Sequence, residues 1–232
     1  MQHVYILSTK TIVPALMEQA SAAGIQVKNI DFIRTEPIIS KEKADQLASF
    51  SSAALVFTST NAVEAVFELL QQYPNPLPSA HVYCMAGRTA EKLAALFPQL
   101  TVKDTGNKAS ELADKIIEDG EKDVIFFSGN LRRDDLPEKL KANGIHVHEL
   151  EIYKTFHTPR TLGEEYDGII FFSPSAAESF FSTNRINNNT VCFAIGETTA
   201  AALRQHTNNR IMVAEHPRQE NVIAMVIDHF NN

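Results

Sequence analysis

Five short segments carry the residue types that hold an anion. Ser59-Thr60-Asn61, Gly87-Arg88-Thr89, Ser128-Gly129-Asn130, Ser173-Pro174-Ser175 and Gly196-Glu197-Thr198 each follow an apolar run and precede a helical pattern. At such a strand-to-helix turn the first backbone N–H groups of the helix have no intrahelical acceptor, and they point at any carboxylate or phosphate placed there. The small side chains allow close approach and the hydroxyls add hydrogen bonds. The same residue types are also the favoured N-caps of any helix, and proline suits a first helical turn, so each turn taken alone is equally a structural cap.

Three further places could supply protons or charge. Tyr153 sits in a β-rich run, IYKTFHTP (152–159), where a phenol could donate to a departing oxygen or simply pack in a β-ladder. Lys10 follows the first apolar run, as a cation at a binding site or as a solvated loop lysine. Arg132-Arg133-Asp134-Asp135 opens a helix after a glycine turn, as a solvated cap or with a guanidinium reaching a ligand. His146 and His148 share one side of a strand pattern, but no third ligand follows at a zinc-like spacing. No GxxxxGKS/T, GxGxxG or GxSxG stretch is present, so phosphate-loop, dinucleotide and hydrolase-elbow chemistry lack their defining residues.

Charge narrows the partners. At 232 residues and a formal net charge of −7, with no dense Lys/Arg cluster, the chain lacks the basic stripe that nucleic acid requires. An anionic ligand would therefore have to be held by neutral dipoles. No apolar run reaches the ~18 residues of a membrane span, and MQHVYILSTK enters a strand directly, without a basic leader, so a cytosolic protein is expected. Cys84 and Cys192 each lie in an apolar strand pattern, where a small buried thiol without a disulfide is expected.

The elements that would position these groups alternate. Strands are predicted at 4–8, 26–33, 54–58, 81–86, 100–103, 123–128, 146–155, 168–173, 191–195 and 210–214, with helical spacing of three and four between most of them. Such alternation implies parallel sheet covered by helices on both faces. FTSTNAVEAVF (57–67) is echoed by FFSPSAAESFF (171–181), 114 residues on, and VYCMAGRTAEKL (82–93) by VCFAIGETTAAAL (191–203). A proline-rich loop, 71–79, absorbs the change of offset between the two echoes.

Strand count decides the division into domains. The middle of the chain holds five strands, whereas the C-terminal part holds three, too few for a core; the first two strands complete it to five. A discontinuous domain, 1–34 plus 157–232, with a second domain inserted at 37–153, is the expectation. The crossing segments IRTEP (33–37) and IYKTFHTP (152–159), kept extended by Pro37 and Pro159, would pair as a two-stranded hinge beside a cleft.

Taken in order, these landmarks resemble the uroporphyrinogen-III synthase family. They are FTSTNAVE (57–64), Gly87-Arg88-Thr89-Ala90, Gly129 with Arg133 and Leu136, Tyr153-Lys154-Thr155, FFSPSA (171–176), AIGETTAAAL (194–203) and AEHPRQENVI (214–223). The resemblance spans nearly the whole chain and rests on the order of the motifs, none of which is specific alone. It implies an α/β fold of two flavodoxin-like parallel-sheet domains joined by a two-stranded β-ladder. It also implies a cyclising hydro-lyase that converts hydroxymethylbilane, a linear tetrapyrrole polycarboxylate, into uroporphyrinogen III. In that reaction water is lost and ring D inverts through an azafulvene and a spiro intermediate.

Carried over, the resemblance assigns hydroxide departure to Tyr153. Substrate binding falls to Thr9, Lys10, Ser59, Thr60, Asn61, Gly87, Thr89, Ser128, Gly129, Arg133, Ser173, Pro174, Ser175, Ala176, Gly196, Thr198 and Thr199. No metal or organic cofactor is expected, and a monomer is. The chain departs from the family pattern at Thr9-Lys10-Thr11, where an arginine is usual, around Asp31-Phe32, where a proline is usual, and at Gly87–Ala90, which is one residue tighter. A non-catalytic two-lobe module that binds a small anion, and a domain-closing enzyme on sugar phosphates, remain as alternatives; the second would need an acid/base pair that the sequence does not offer.

Overall fold

The computed structural model describes residues 4–50, 52–77 and 81–231. In chain order the elements are β1 (Val4–Ser8), α1 (Pro14–Ala22), β2 (Ile25–Asn29), β3 (Ile33–Pro37), α2 (Lys41–Ala48), β4 (Ala54–Phe57) and α3 (Thr60–Gln72). There follow β5 (Val82–Met85), α4 (Arg88–Leu96), β6 (Val102–Gly106), α5 (Ala109–Glu118), β7 (Asp123–Gly129), α6 (Asp135–Ala142) and β8 (His146–His157). The chain closes with β9 (Gly168–Phe171), α7 (Pro174–Thr183), β10 (Val191–Ala194), α8 (Glu197–Leu203), β11 (Ile211–Val213) and α9 (Gln219–Asn231). They divide into two compact units, Met1–Arg34 with Phe156–Asn232, and Thr35–Thr155.

The first unit is built on the sheet β11-β10-β9-β1-β2, parallel throughout. Side chains alternate across it, as a period of two requires. Ile6, Ile170 and Phe193 face α1 and α9, packing with Leu16, Ala20, Val222 and Val226. Leu7, Ile169, Phe171 and Cys192 face the other way, onto Phe180 and Phe181 of α7 and Leu203 of α8.

The second unit carries the order β3-β8-β7-β4-β5-β6. Leu55, Phe57, Ile125 and Phe127 meet α2, α3 and α4 on one face, through Leu47, Val63, Val66 and Leu93. Val56, Tyr83, Val124 and Phe126 meet α5 and α6 on the other, through Leu112, Ile116, Leu136 and Leu140. Strands β4, β9 and β10 are buried along their whole length, the pattern of parallel strands covered on both sides.

The two echoed stretches fold alike. In each unit the strand (β4 or β9) lies inside the sheet and ends two residues before a serine cap, Ser59 or Ser173. Each serine hydroxyl accepts the N–H three residues on, from Ala62 and Ala176, both at 3.1 Å. In the second echo Gly87 (φ 71°, a region that favours glycine) and Gly196 cap α4 and α8.

Several boundaries differ from the sequence reading. The strand predicted at 26–33 is two strands: β2 stops at Asn29, and β3 begins at Ile33 in the other sheet. Between them Phe32 is fully buried against Phe180, with ring centroids 5.2 Å apart, and Asn29 and Asp31 turn their side chains to accept the N–H groups of Ile12 and Thr11. Helix α2 is an addition; only Ala44 and Leu47 are buried on it, a stripe too thin to stand out in KEKADQLA, and Ser40 caps it. The strand predicted at 100–103 lies at Val102–Gly106, and that predicted at 146–155 continues to His157. Of the proline-rich loop 71–79, Pro78 and Ser79 lie outside the described residues.

Candidate functional site

In the second unit the carboxyl ends of β4, β7 and β8 bring three predicted site residues together. Tyr153, half-buried on β8, lays its ring over Gly129 at the end of β7. A Cβ built on Gly129 would lie 2.3 Å from Cε2 and 2.4 Å from Cζ of that ring, so only glycine admits the tyrosine. The Tyr153 hydroxyl lies 3.1 Å from Oγ of Ser59. Oγ accepts from Ala62 N–H as the cap of α3 and donates its own hydrogen to the phenol oxygen. The phenol thus receives a bond from the protein, and its hydrogen is left to be given to something else.

Around this pair, Thr60 and Asn61 occupy the half-buried first turn of α3. Gly87 is exposed, and Thr89 is buried in the first turn of α4. Ser128 is buried near the end of β7, beside Glu151 in register. Arg133 is exposed, 3.9 Å from Asp135, whereas Arg132 is tied down: it donates to Glu149 at 2.7 Å and pairs with Asp134. Of the two arginines, it is Arg132 that braces β8.

In the first unit the predicted residues divide by environment. Thr9 is 1% exposed and turned inward: its N–H and its hydroxyl both donate to the Ile170 carbonyl, at 3.0 and 2.9 Å. Lys10 is exposed, and its carbonyl accepts from the Ser8 hydroxyl. Ser173 caps α7 and lies 3.1 Å from the Ser175 hydroxyl; Pro174 starts the helix, and buried Ala176 supplies the capped N–H. Gly196 caps α8, Thr198 is exposed, and Thr199 is 2% exposed with its N–H on the Gly196 carbonyl at 3.0 Å.

The loop after β1 contains contacts that no sequence spacing announces. The N–H groups of Thr11, Ile12 and Val13 are taken by Asp31, Asn29 and Gln219, at 3.1, 3.3 and 3.2 Å, and Gln219 also donates to the Thr11 carbonyl at 3.0 Å. These donors are spent on the protein, and Lys10 beside them is exposed.

Elsewhere the titratable groups are structural. Burial pushes the Cys84 thiol up to about 11 and the Cys192 thiol up to about 12; both are free and buried. His148 lies 3.4 Å from Asp123 and against the Phe50 ring. No helix among the described residues is long and apolar enough to cross a membrane.

Comparison with known proteins decides the family. A sequence model described as "Uroporphyrinogen-III synthase HemD" matches residues 14–224. The chain belongs to the uroporphyrinogen-III synthase family. The uroporphyrinogen-III synthase of Saccharomyces cerevisiae is 27% identical over 205 residues, 74% of each chain. Among solved structures, a mutant uroporphyrinogen-III synthase of Thermus thermophilus superposes with a TM-score of 0.75 at 17% identity, covering 98% of both chains. The Helicobacter pylori uroporphyrinogen-III synthetase gives 0.66 at 20% identity, covering 97% of this chain and 99% of that one. These two likenesses establish a shared α/β fold with uroporphyrinogen-III synthases.

Proposed function

We propose that this family member converts hydroxymethylbilane into uroporphyrinogen III, with loss of one water and inversion of ring D. The observation that carries the assignment of Tyr153 is its hydrogen-bonding state: the phenol oxygen accepts from Ser59 at 3.1 Å and keeps its own hydrogen to donate. Hydroxide is a poor leaving group, and a positioned phenol that hydrogen-bonds or protonates the departing oxygen lowers that barrier. The bond between the hydroxymethyl carbon and its oxygen breaks, water leaves, and the pyrrole electrons form the azafulvene. Carbon attack gives the spiro intermediate, and rearrangement inverts the ring. Because the linear substrate also closes unaided to the uninverted isomer, most of the work of the protein is orientation.

A flexible polycarboxylate suits a chain of net charge −7 if dipoles hold it. In this reading the turn N–H groups of Thr60, Asn61, Gly87, Ser128, Gly129 and Gly196 donate to carboxylates, the hydroxyls of Ser59, Thr89, Ser173, Ser175, Thr198 and Thr199 bond carboxylates or accept from pyrrole N–H groups, and Pro174, which has no N–H, and Ala176, whose N–H is given to Ser173, contribute by shape. Lys10 and Arg133 add exposed charge. The domains run 1–34 plus 157–232 and 37–153, and the protein acts as a cytoplasmic monomer.

The test is product analysis. Purified protein with freshly generated hydroxymethylbilane, oxidised and separated by chromatography, should yield mainly isomer III without added metal or nucleotide. Isomer I alone would remove the synthase activity and leave a small-anion-binding module. Y153F should bind substrate and turn it over far more slowly; wild-type turnover would remove Tyr153 from the mechanism.

A further inference from the structure

We infer that Asn130 is a positioning residue for Tyr153, acting by locking the strand register that carries the phenol. The inference rests on the reading of Tyr153 given above. Along β7 and β8 the pairing is regular from Asp123 beside His146 to Ser128 beside Glu151; then Gly129 stands beside Tyr153, so Ile152 is one residue too many. Such a bulge breaks the alternation of side chains. Its effect is visible in the packing: Leu150 and Ile152 lie in the core beneath α3, and Tyr153, the very next residue, packs against that same core. Strict alternation would have sent Tyr153 to the opposite face, away from Ser59.

A bulge at the end of a ladder needs something beyond it to hold the shifted register. Asn130 is that clamp. Its Oδ1 accepts the Thr155 N–H at 2.7 Å, and its Nδ2 donates to the Thr155 carbonyl at 3.1 Å. The side-chain amide thus takes the place of a peptide unit and continues the β7–β8 pairing one step past Gly129, two residues beyond Tyr153. Gly129 admits the ring from below, Ser59 bonds its oxygen, and Asn130 keeps the backbone from slipping back by one residue.

The test uses the full chain with N130A, N130D, Y153F and N130A/Y153F. N130D keeps an acceptor for the Thr155 N–H but sets a carboxylate oxygen against the Thr155 carbonyl, and it supplies the same readouts if N130A does not fold. With Tyr153 as the acting group, N130A should lower kcat by about 10- to 100-fold, with KM changed far less, since small misplacements of an oriented group cost rates of that order. In the Y153F background the same substitution should change kcat by less than about 2-fold, the sign that both act through one group. Fluorotyrosine labelling gives a readout independent of turnover: the Tyr153 resonance, identified by its loss in Y153F, should move in N130A and N130D while the other tyrosines stay in place.

With Y153F impaired, wild-type kcat in both Asn130 variants or an equal loss with and without the phenol would overturn the positioning role, and an unmoved Tyr153 resonance would overturn it in any case. Wild-type turnover by Y153F alone, with the resonance still moving in N130A, would instead fell the catalytic reading of Tyr153 and leave Asn130 as the clamp of that side chain.

Discussion

The Ser59 hydroxyl joins helix capping to the placement of Tyr153: it accepts the Ala62 N–H and donates to the phenol oxygen, each at 3.1 Å. The two roles separate by substitution. S59A loses both, and the lost cap costs about 1 kcal/mol of stability, or roughly 2–4 °C in Tm for a chain of this size. S59D still caps but has no hydrogen to give, so it draws the hydrogen of the phenol to itself. Tm near wild type with kcat at least about 10-fold down in S59D is the expected outcome, read by thermal melts and isomer-III formation. Full activity in S59D would show that the orientation of the phenol hydrogen does not matter.

Gly129 is the second support. In G129A the added carbon would lie 2.3 Å from Cε2 of Tyr153, far inside contact distance, so the ring must move. Overpacking of this kind costs about 1–3 kcal/mol, and turnover should fall with it. In a Y153A background the same change should be nearly free, because the clashing atoms are gone. An equal stability loss in both backgrounds, measured by urea unfolding, would mean that Gly129 is needed for its backbone and not for the tyrosine.

A polar cluster in the second unit sets the pH response. The buried Tyr83 phenol shares its hydrogen between Asp119 at 2.7 Å and Glu121 at 2.9 Å, with Lys103 3.2 Å from Asp119. Burial first, then the Asp119 bond, pushes the phenol well above its ordinary value; the Tyr83 bond, foremost, holds Asp119 below its own. The raised phenol contributes stability that is complete below the ordinary tyrosine pKa of about 10 and is lost as pH rises toward its folded value. The lowered carboxylate contributes stability present above about pH 4 and lost as pH falls through its folded value. The stability of Y83F should therefore lie below wild type most clearly between about pH 4 and 10, the gap closing on both sides. A gap independent of pH in urea midpoints would rule the linkage out.

The cysteines give a direct check on burial. With Cys84 and Cys192 both fully buried and their thiols raised, a disulfide reagent at pH 8 should modify neither in the native protein and both in urea. Rapid labelling of the folded chain would contradict the placement of β5 or β10.

What the sequence by itself determined is what neighbouring residues decide among themselves. Alternating apolar runs and helical spacing produce the β/α order, and the serines at 59 and 173 cap their helices because a hydroxyl reaches an N–H three residues on without help from the rest of the chain. The echo 114 residues apart was legible for the same reason. Tertiary structure alone decided where β2 ends and β3 begins, since that depends on buried Phe32 and on side chains closing a loop some twenty residues earlier. It likewise decided the bulge that turns Tyr153 toward Ser59, and the grip of Asn130 on Thr155, 25 residues away. A strand's register is chosen by the competition of whole faces for burial, and no local stretch of sequence contains both competitors.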